Sequence, residues 1–195
     1  VTAVRQRVSE WVLLGAIVMG AVLVLFAAVA TLAADNLVVP VEVPAAVVPP
    51  PSGDGLEFTG AVTAELTVAD PTAAERVWTM APSLVLAAQI VLVGTLLLRV
   101  VRSLRTGDPF NAVNARLIGV CAAVTLVGGV LVAALRTVGA HAILGGAGPS
   151  LVGGAALEPV VELPVAALLL GLGLASAAAF LRSGALLREE VDGLV

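Results

Sequence analysis

The sequence predicts an all-α membrane protein: four transmembrane helices with a small extracytoplasmic β-hairpin or sheet between helices 1 and 2. Three observations predict it. Hydrophobic residues make up 59% of the 195 positions and charged residues only 12%, against about 45–50% and about 25% in soluble domains. Four long stretches carry no Asp, Glu, Lys, Arg or His. The segment after the first stretch alternates apolar and polar residues with period two, as a half-buried strand does. The shortage of charge also excludes a disordered chain, which combines low hydrophobicity with high charge.

The uncharged stretches are Trp11–Ala34, Ala81–Leu98, Leu117–Leu135 and Leu163–Leu181. With their flanking turns they give spans at about 11–34, 81–102, 112–136 and 163–182 in a single membrane domain covering 1–195. Each is close to the about 20 apolar residues that cross a hydrocarbon layer. Pro82, Pro109 and Pro164 fall at predicted helix starts, where a missing N–H costs nothing. The first span has a basic start, Arg5 and Arg7, and small residues at its end. It is longer than the core of a signal peptide, so an uncleaved anchor is expected.

The arginines orient the chain. All ten basic residues are Arg, and with fourteen acids they leave a net charge of −4. Arg5, Arg7, Arg99, Arg102, Arg105, Arg116, Arg182 and Arg188 fall on the side of both termini; Arg76 and Arg136 fall on the other. Positive charge stays inside, so both termini are expected in the cytoplasm, with the protein multi-pass in a bacterial cytoplasmic membrane. Abundant Ala, Val, Gly and Arg without Lys point to GC-rich codons and a bacterial source. Trp11, Phe110 and Phe180 are expected at the cytoplasmic interface and Trp78 at the outer one. The mild acidity gives no footing for nucleic acid.

The outer segment 35–80 reads as folded. From Leu56 to Val68, residues Leu56, Phe58, Val62, Ala64, Leu66 and Val68 share one face, while Glu57, Thr59, Thr63, Glu65 and Thr67 share the other. A second β-rich piece, Leu37–Val48, precedes it, and Pro49–Gly55 is a turn signal. Two strands are marginal in water. The apolar face must therefore lie on the outer helix ends, another subunit or lipid. On this ground Leu56, Phe58, Val62 and Leu66 are partner-facing candidates. Asp70 is the expected N-cap of a following helix, with Pro71 at its first position. The second outer loop, 137–162, reads as a flexible glycine-rich connection.

Chemistry-bearing residues are few. His141, near Glu158 and Glu162, lacks the three or four spaced ligands of a metal site. No Gly-x-Ser-x-Gly, phosphate-loop or His-Glu-x-x-His motif occurs, so neither enzyme nor cofactor is expected. Cys121 is the single cysteine. Gln89 is the only amide in the spans, and an interhelical hydrogen bond is its expected role. Arg99, Arg102 and Arg105 recur every third residue, holding that end inside or meeting anionic lipid. Ala167, Gly171, Ala175 and Ala179 form a small-residue row on the fourth span, read as a seam within the chain or a contact for another subunit.

Two cytoplasmic stretches form a pattern. One is Arg105-Thr106-Gly107-Asp108-Pro109-Phe110-Asn111-Ala112-Val113-Asn114-Ala115-Arg116-Leu117-Ile118-Gly119. The other is Phe180-Leu181-Arg182-Ser183-Gly184-Ala185-Leu186-Leu187-Arg188-Glu189-Glu190-Val191-Asp192-Gly193-Leu194-Val195, which includes the tail 183–195. Together they resemble the bacterial membrane family catalogued as domain of unknown function 2975, over nearly the whole chain. The resemblance implies four helices and a β-rich loop after the first, and no established activity. Read physically, Gly107 permits a turn, Asp108 caps a helix that Pro109 opens, and Phe110 sits at the interface. Asn114 is placed to bond to the loop or the tail. Arg116 and Arg182 anchor their helices, and Gly184 marks an end or a close approach. A latch is expected between Arg105 or Arg116 and Glu189 or Glu190, with Arg188 beside them.

The function expected from these features is that of a non-enzymatic accessory or regulatory subunit associated with a larger membrane complex. Its partners would be membrane lipid and another membrane protein, with a homo-oligomer as a further arrangement. One alternative is a small transporter or channel for an uncharged or lipophilic solute, with Gln89 lining the path. The other is an envelope-stress or peptide-immunity sensor.

Overall fold

The computed structural model describes residues 2–44, 61–104, 111–146, 151–152 and 155–192. Helix α1 covers Thr2–Ala33, α2 Ala73–Leu104, α3 Ala112–Gly146 and α4 Val165–Asp192. Strands β1 (Asn36–Pro44) and β2 (Ala61–Ala69) lie between α1 and α2; β3 (Leu151–Val152), β4 (Ala155–Ala156) and β5 (Glu158–Pro159) lie between α3 and α4. All four helices are long and apolar enough to cross a membrane. Their most apolar stretches are only 17%, 22%, 22% and 6% buried. Such a surface is tolerable in lipid and not in water.

The chain forms two compact units. One comprises 1–26, 84–132 and 164–195, and the other 27–83 and 133–163. In the first, helices meet through small residues. A Cβ on Gly94 of α2 would strike Ile17 of α1, and one on Gly128 of α3 would strike Gln89 of α2. A Cβ on Gly129 of α3 would strike the Ala167 methyl of α4, and one on Gly171 of α4 would strike Leu126 of α3. Close backbone approach of this kind maximises van der Waals contact where no hydrophobic force drives helices together.

The fourth helix keeps only part of the expected small-residue row in a contact within the chain. From Pro164 through α4 to Leu181, the buried or half-buried residues are Pro164, Ala167, Gly171, Leu174, Ala178 and Leu181, at alternating spacings of three and four. The expected row held Ala167 and Gly171 but continued to Ala175 and Ala179, which are exposed. Each four-residue step overshoots a full turn by about 40°, so a strict row drifts off the contact within two steps. An average step of 3.5 keeps a seam facing its neighbour.

The second unit carries a three-stranded antiparallel sheet in the order β2-β1-β5. Val39 pairs with Leu66, and Val43 with Val62. Leu37, Val39, Val41 and Val43 of β1 are buried and their neighbours largely exposed, which is the pleat written into the sequence. Val39, Val41 and Val43 join Ile143 of α3 in one core, with Ala64, Leu66, Val68, Ala140, Leu144 and Leu157 packed against it. The C-terminal part of α3 therefore covers this face. Leu66, expected to face a partner, is held inside the chain, and Val62 is half-buried. Leu56, Phe58 and the Pro49–Gly55 turn lie outside the described residues.

Three further expectations change. The N-cap of α2 is Thr72, not Asp70. The Thr72 N–H donates to Glu75 Oε2 at 2.6 Å and the Glu75 N–H donates to Thr72 Oγ1 at 3.3 Å, a reciprocal capping box. Asp70 instead takes a left-handed backbone, φ 52°, which its short side chain tolerates. Pro82 lies inside α2 rather than at a start, because α2 is one helix of 32 residues. The second outer loop is also partly regular: α3 runs on to Gly146, β3 pairs with β4, and β5 extends the sheet through Val41 and Glu42.

Candidate functional site

The second unit contains a cleft of about 350 Å³ beside β1. Trp78, Thr79, Pro82 and Ser83 of α2 form one wall, Arg136, Gly139, Ala140 and Ile143 of α3 another, and Val38, Val39 and Pro40 a third. Thr31, Val160 and Glu162 complete it. Its volume falls at the lower end of the about 300–1,000 Å³ range of ligand pockets.

Local sequence explains the walls. Pro82 has no N–H, so α2 lacks the bond that would close on the Trp78 carbonyl. Gly139 lies against that carbonyl: a Cβ there would sit 3.3 Å from its oxygen. Glycine thus lets α3 approach where α2 has lost a hydrogen bond. Strand β5 pairs only with Val41 and Glu42, so it leaves the Val38–Pro40 stretch of β1 uncovered on that side. An unpaired strand edge is a template for an added chain. At the lip, Arg136 Nη1 meets Glu162 Oε2 at 2.6 Å, with both side chains about half exposed.

The two arginines that run against the charge bias each have a local role. Arg136 is in that ion pair. Arg76 donates through Nη1 to the carbonyls of Leu32 at 2.7 Å and Ala34 at 2.6 Å, and through Nε to that of Pro71 at 3.3 Å. It thereby caps the end of α1, whose last carbonyls have no intrahelical partner. Sequence reasoning treated both only as exceptions to a topology rule. Their being exceptions was the available signal.

In the first unit, Gln89 Nε2 donates to the Thr125 carbonyl of α3 at 3.4 Å, as expected of an interhelical bond. Its Oε1 is buried with no partner among the described residues. The bond is long, and such bonds inside membranes average about 0.6 kcal/mol. Replacing Gln89 with Leu is expected to change stability by no more than about 1 kcal/mol, measured by reversible unfolding in mixed micelles. Cys121 is fully buried, its Sγ 4.0 Å from the Val93 carbonyl. His141 is exposed, with Nδ1 2.9 Å from the Thr137 carbonyl of its own helix.

The motif residues are partly described. Asn111 caps α3, accepting from the Val113 N–H at 3.0 Å through its side chain and from the Asn114 N–H at 3.0 Å through its carbonyl. The cap expected of Asp108 and the helix start expected of Pro109 lie outside the described residues. Asn114 is fully buried. Arg116 and Arg182 are exposed, and Gly184 is half-buried. Arg105, Gly107, Asp108, Pro109 and Phe110 lie outside the described residues, as do the side chains of Arg188, Glu189 and Glu190. Arg102 lies 3.7 Å from Glu10 of α1, a pairing that sequence reasoning missed.

Four apolar helices with an attached sheet define a candidate multi-pass membrane protein. No family model, curated protein or solved structure matches the chain.

Proposed function

We propose that this is a non-enzymatic regulatory subunit of a bacterial cytoplasmic membrane, related to domain of unknown function 2975, with both termini inside. In this reading the outer unit takes an anchoring side chain or short extended segment of another membrane protein into its cleft. The observation that carries the proposal is the cleft itself, walled by Trp78, the interrupted turn at Pro82 and the uncovered stretch of β1. A pocket of this size with a tryptophan in its wall suits the few buried anchors that dominate protein interfaces. The bond from Gln89 to the third helix supports this reading over a solute path, because it ties that amide into a helix contact.

The test is site-specific photo-crosslinking in native membranes. A photoreactive residue at Val160, which lines the cleft, is expected to give one discrete heterologous adduct, and the Ser83→Phe change to abolish it. The same probe at Leu169, 67% exposed on α4, is expected to give lipid adducts only. An absent adduct at Val160, or one unaffected by Ser83→Phe, overturns the proposal.

A further inference from the structure

A groove of about 410 Å³ runs between α3 and α4 in the first unit. Gly119 and Ala123 of α3 and Ala175 and Ala179 of α4 line its floor and sides. Arg116 and Arg182 also line it, and the approach of Gly119 to Ala178 places the two arginines at matching levels of their helices. The helices run in opposite directions here. Seven residues separate Arg116 from Ala123, and seven separate Arg182 from Ala175. Both walls therefore descend about 10 Å from the level of the arginines into the apolar part of the bundle.

The charge of this groove is one-sided. Neither Arg116 nor Arg182 makes an ion pair or side-chain hydrogen bond among the described residues. Arg102, by contrast, has Glu10. Two guanidiniums on one rim repel each other until an anion joins them, and each offers a planar fork that matches phosphate. Below them the wall is methyl groups and glycine, with no polar side chain to hold a soluble anion's remaining groups. A charged head above an apolar tail is the chemistry that fits both parts, and basic pockets between membrane helices hold anionic lipid heads in this way.

We propose that the α3–α4 groove is a site for an anionic phospholipid, with its phosphate between Arg116 and Arg182 and one acyl chain along Gly119, Ala123 and Ala175. It does not depend on the cleft of the other unit. The arginines here do more than retain a helix end: they select one lipid class at one place.

The test uses the full chain, purified in mild detergent and examined by native mass spectrometry with added phosphatidylglycerol or phosphatidylcholine. Retention of phosphatidylglycerol is expected to exceed that of phosphatidylcholine at least tenfold. The double change Arg116→Gln, Arg182→Gln is expected to remove the preference. Ala175→Leu, at an exposed position, is expected to reduce retention by filling the groove while leaving both charges. Glycerol phosphate without acyl chains is expected not to compete. Three results overturn the proposal: equal retention of the two lipids, a preference that survives the double arginine change, or competition by glycerol phosphate. A fourth is retention that appears only when Glu189 and Glu190 are changed to Gln, because the chain's own tail would then be the occupant. Helical circular dichroism of each variant separates loss of the site from loss of the fold.

Discussion

Replacing Arg76 with Met is expected to destabilise the protein by about 2–4 kcal/mol. Two of its bonds, to the Leu32 and Ala34 carbonyls, are shorter than 2.8 Å and are made by a charged donor. Bonds of that kind contribute about 1.5–3 kcal/mol each, reduced here by partial exposure. The carbonyls at the end of α1 are left unsatisfied when the donor goes, and near a membrane that vacancy is more costly than in water. Met keeps the apolar stem, so the loss reports the guanidinium. Arg76→Lys is expected to recover only part, since one ammonium cannot reproduce the fork. Arg102→Met is the contrast. Its pair with Glu10 is 3.7 Å long with the arginine side chain 61% exposed, and pairs of that kind contribute under about 1 kcal/mol. Unfolding in mixed micelles ranks the three variants, and hydrogen exchange at 30–34 locates the effect. A loss for Arg76→Met within about 0.5 kcal/mol of zero would remove the capping role.

The same residues show what a sequence can and cannot disclose. The four spans were legible because lipid accepts only long uncharged helices, a constraint written directly into composition. The β1–β2 pairing was legible because β2 alternates over nine residues and the pleat has period two. The ends of elements were less legible. At the start of α2, Asp70-Pro71 and Thr72-x-x-Glu75 are competing start signals two residues apart. The second prevails in the structure because it satisfies backbone and side-chain groups reciprocally. The far end of α3 was hidden by Arg136, which ends the uncharged run but not the helix. Gly139, Ala140 and Ile143 continue its packed side. Strand β5 was invisible for a different reason. Two residues, one a proline, have no pattern of their own, and their pairing is set by β1.

The cleft followed the same division. Trp78 and Pro82 were visible as an interfacial aromatic and a helix punctuator. Their juxtaposition with Gly139 depends on α3 continuing past its apolar run, and with Val38–Pro40 on β5 being short. Neither follows from local sequence. The α3–α4 groove was half legible. Arg116 and Arg182 stood out by charge, but only the alternating spacing of the α4 seam places Ala175 in the groove below them rather than in the contact.

That seam makes a sharp prediction. Gly129→Leu is expected to cause the largest loss of any glycine substitution in α3 or α4, with folded yield at least tenfold below the native chain in detergent. The atom in the way is the Ala167 methyl, which is one bond from the backbone and cannot swing aside. Relief requires α3 and α4 to separate along their length. Gly171→Ala meets a different obstacle. Its neighbour is the far end of Leu126, which can change rotamer, so the cost is expected in the about 1–3 kcal/mol range of overpacking. Gly173→Leu is the control. It lies two residues along the same helix with nothing within 4 Å of an added Cβ, and it is expected to leave yield and unfolding unchanged. Gly129→Ala meets the same methyl, and adding Ala167→Gly to it moves the methyl across the seam, so most of the loss of Gly129→Ala is expected to be recovered. Size-exclusion chromatography and thermal unfolding of these variants decide the matter. Equal behaviour of the Gly129→Leu and Gly173→Leu proteins would show that α3 and α4 do not meet at this glycine.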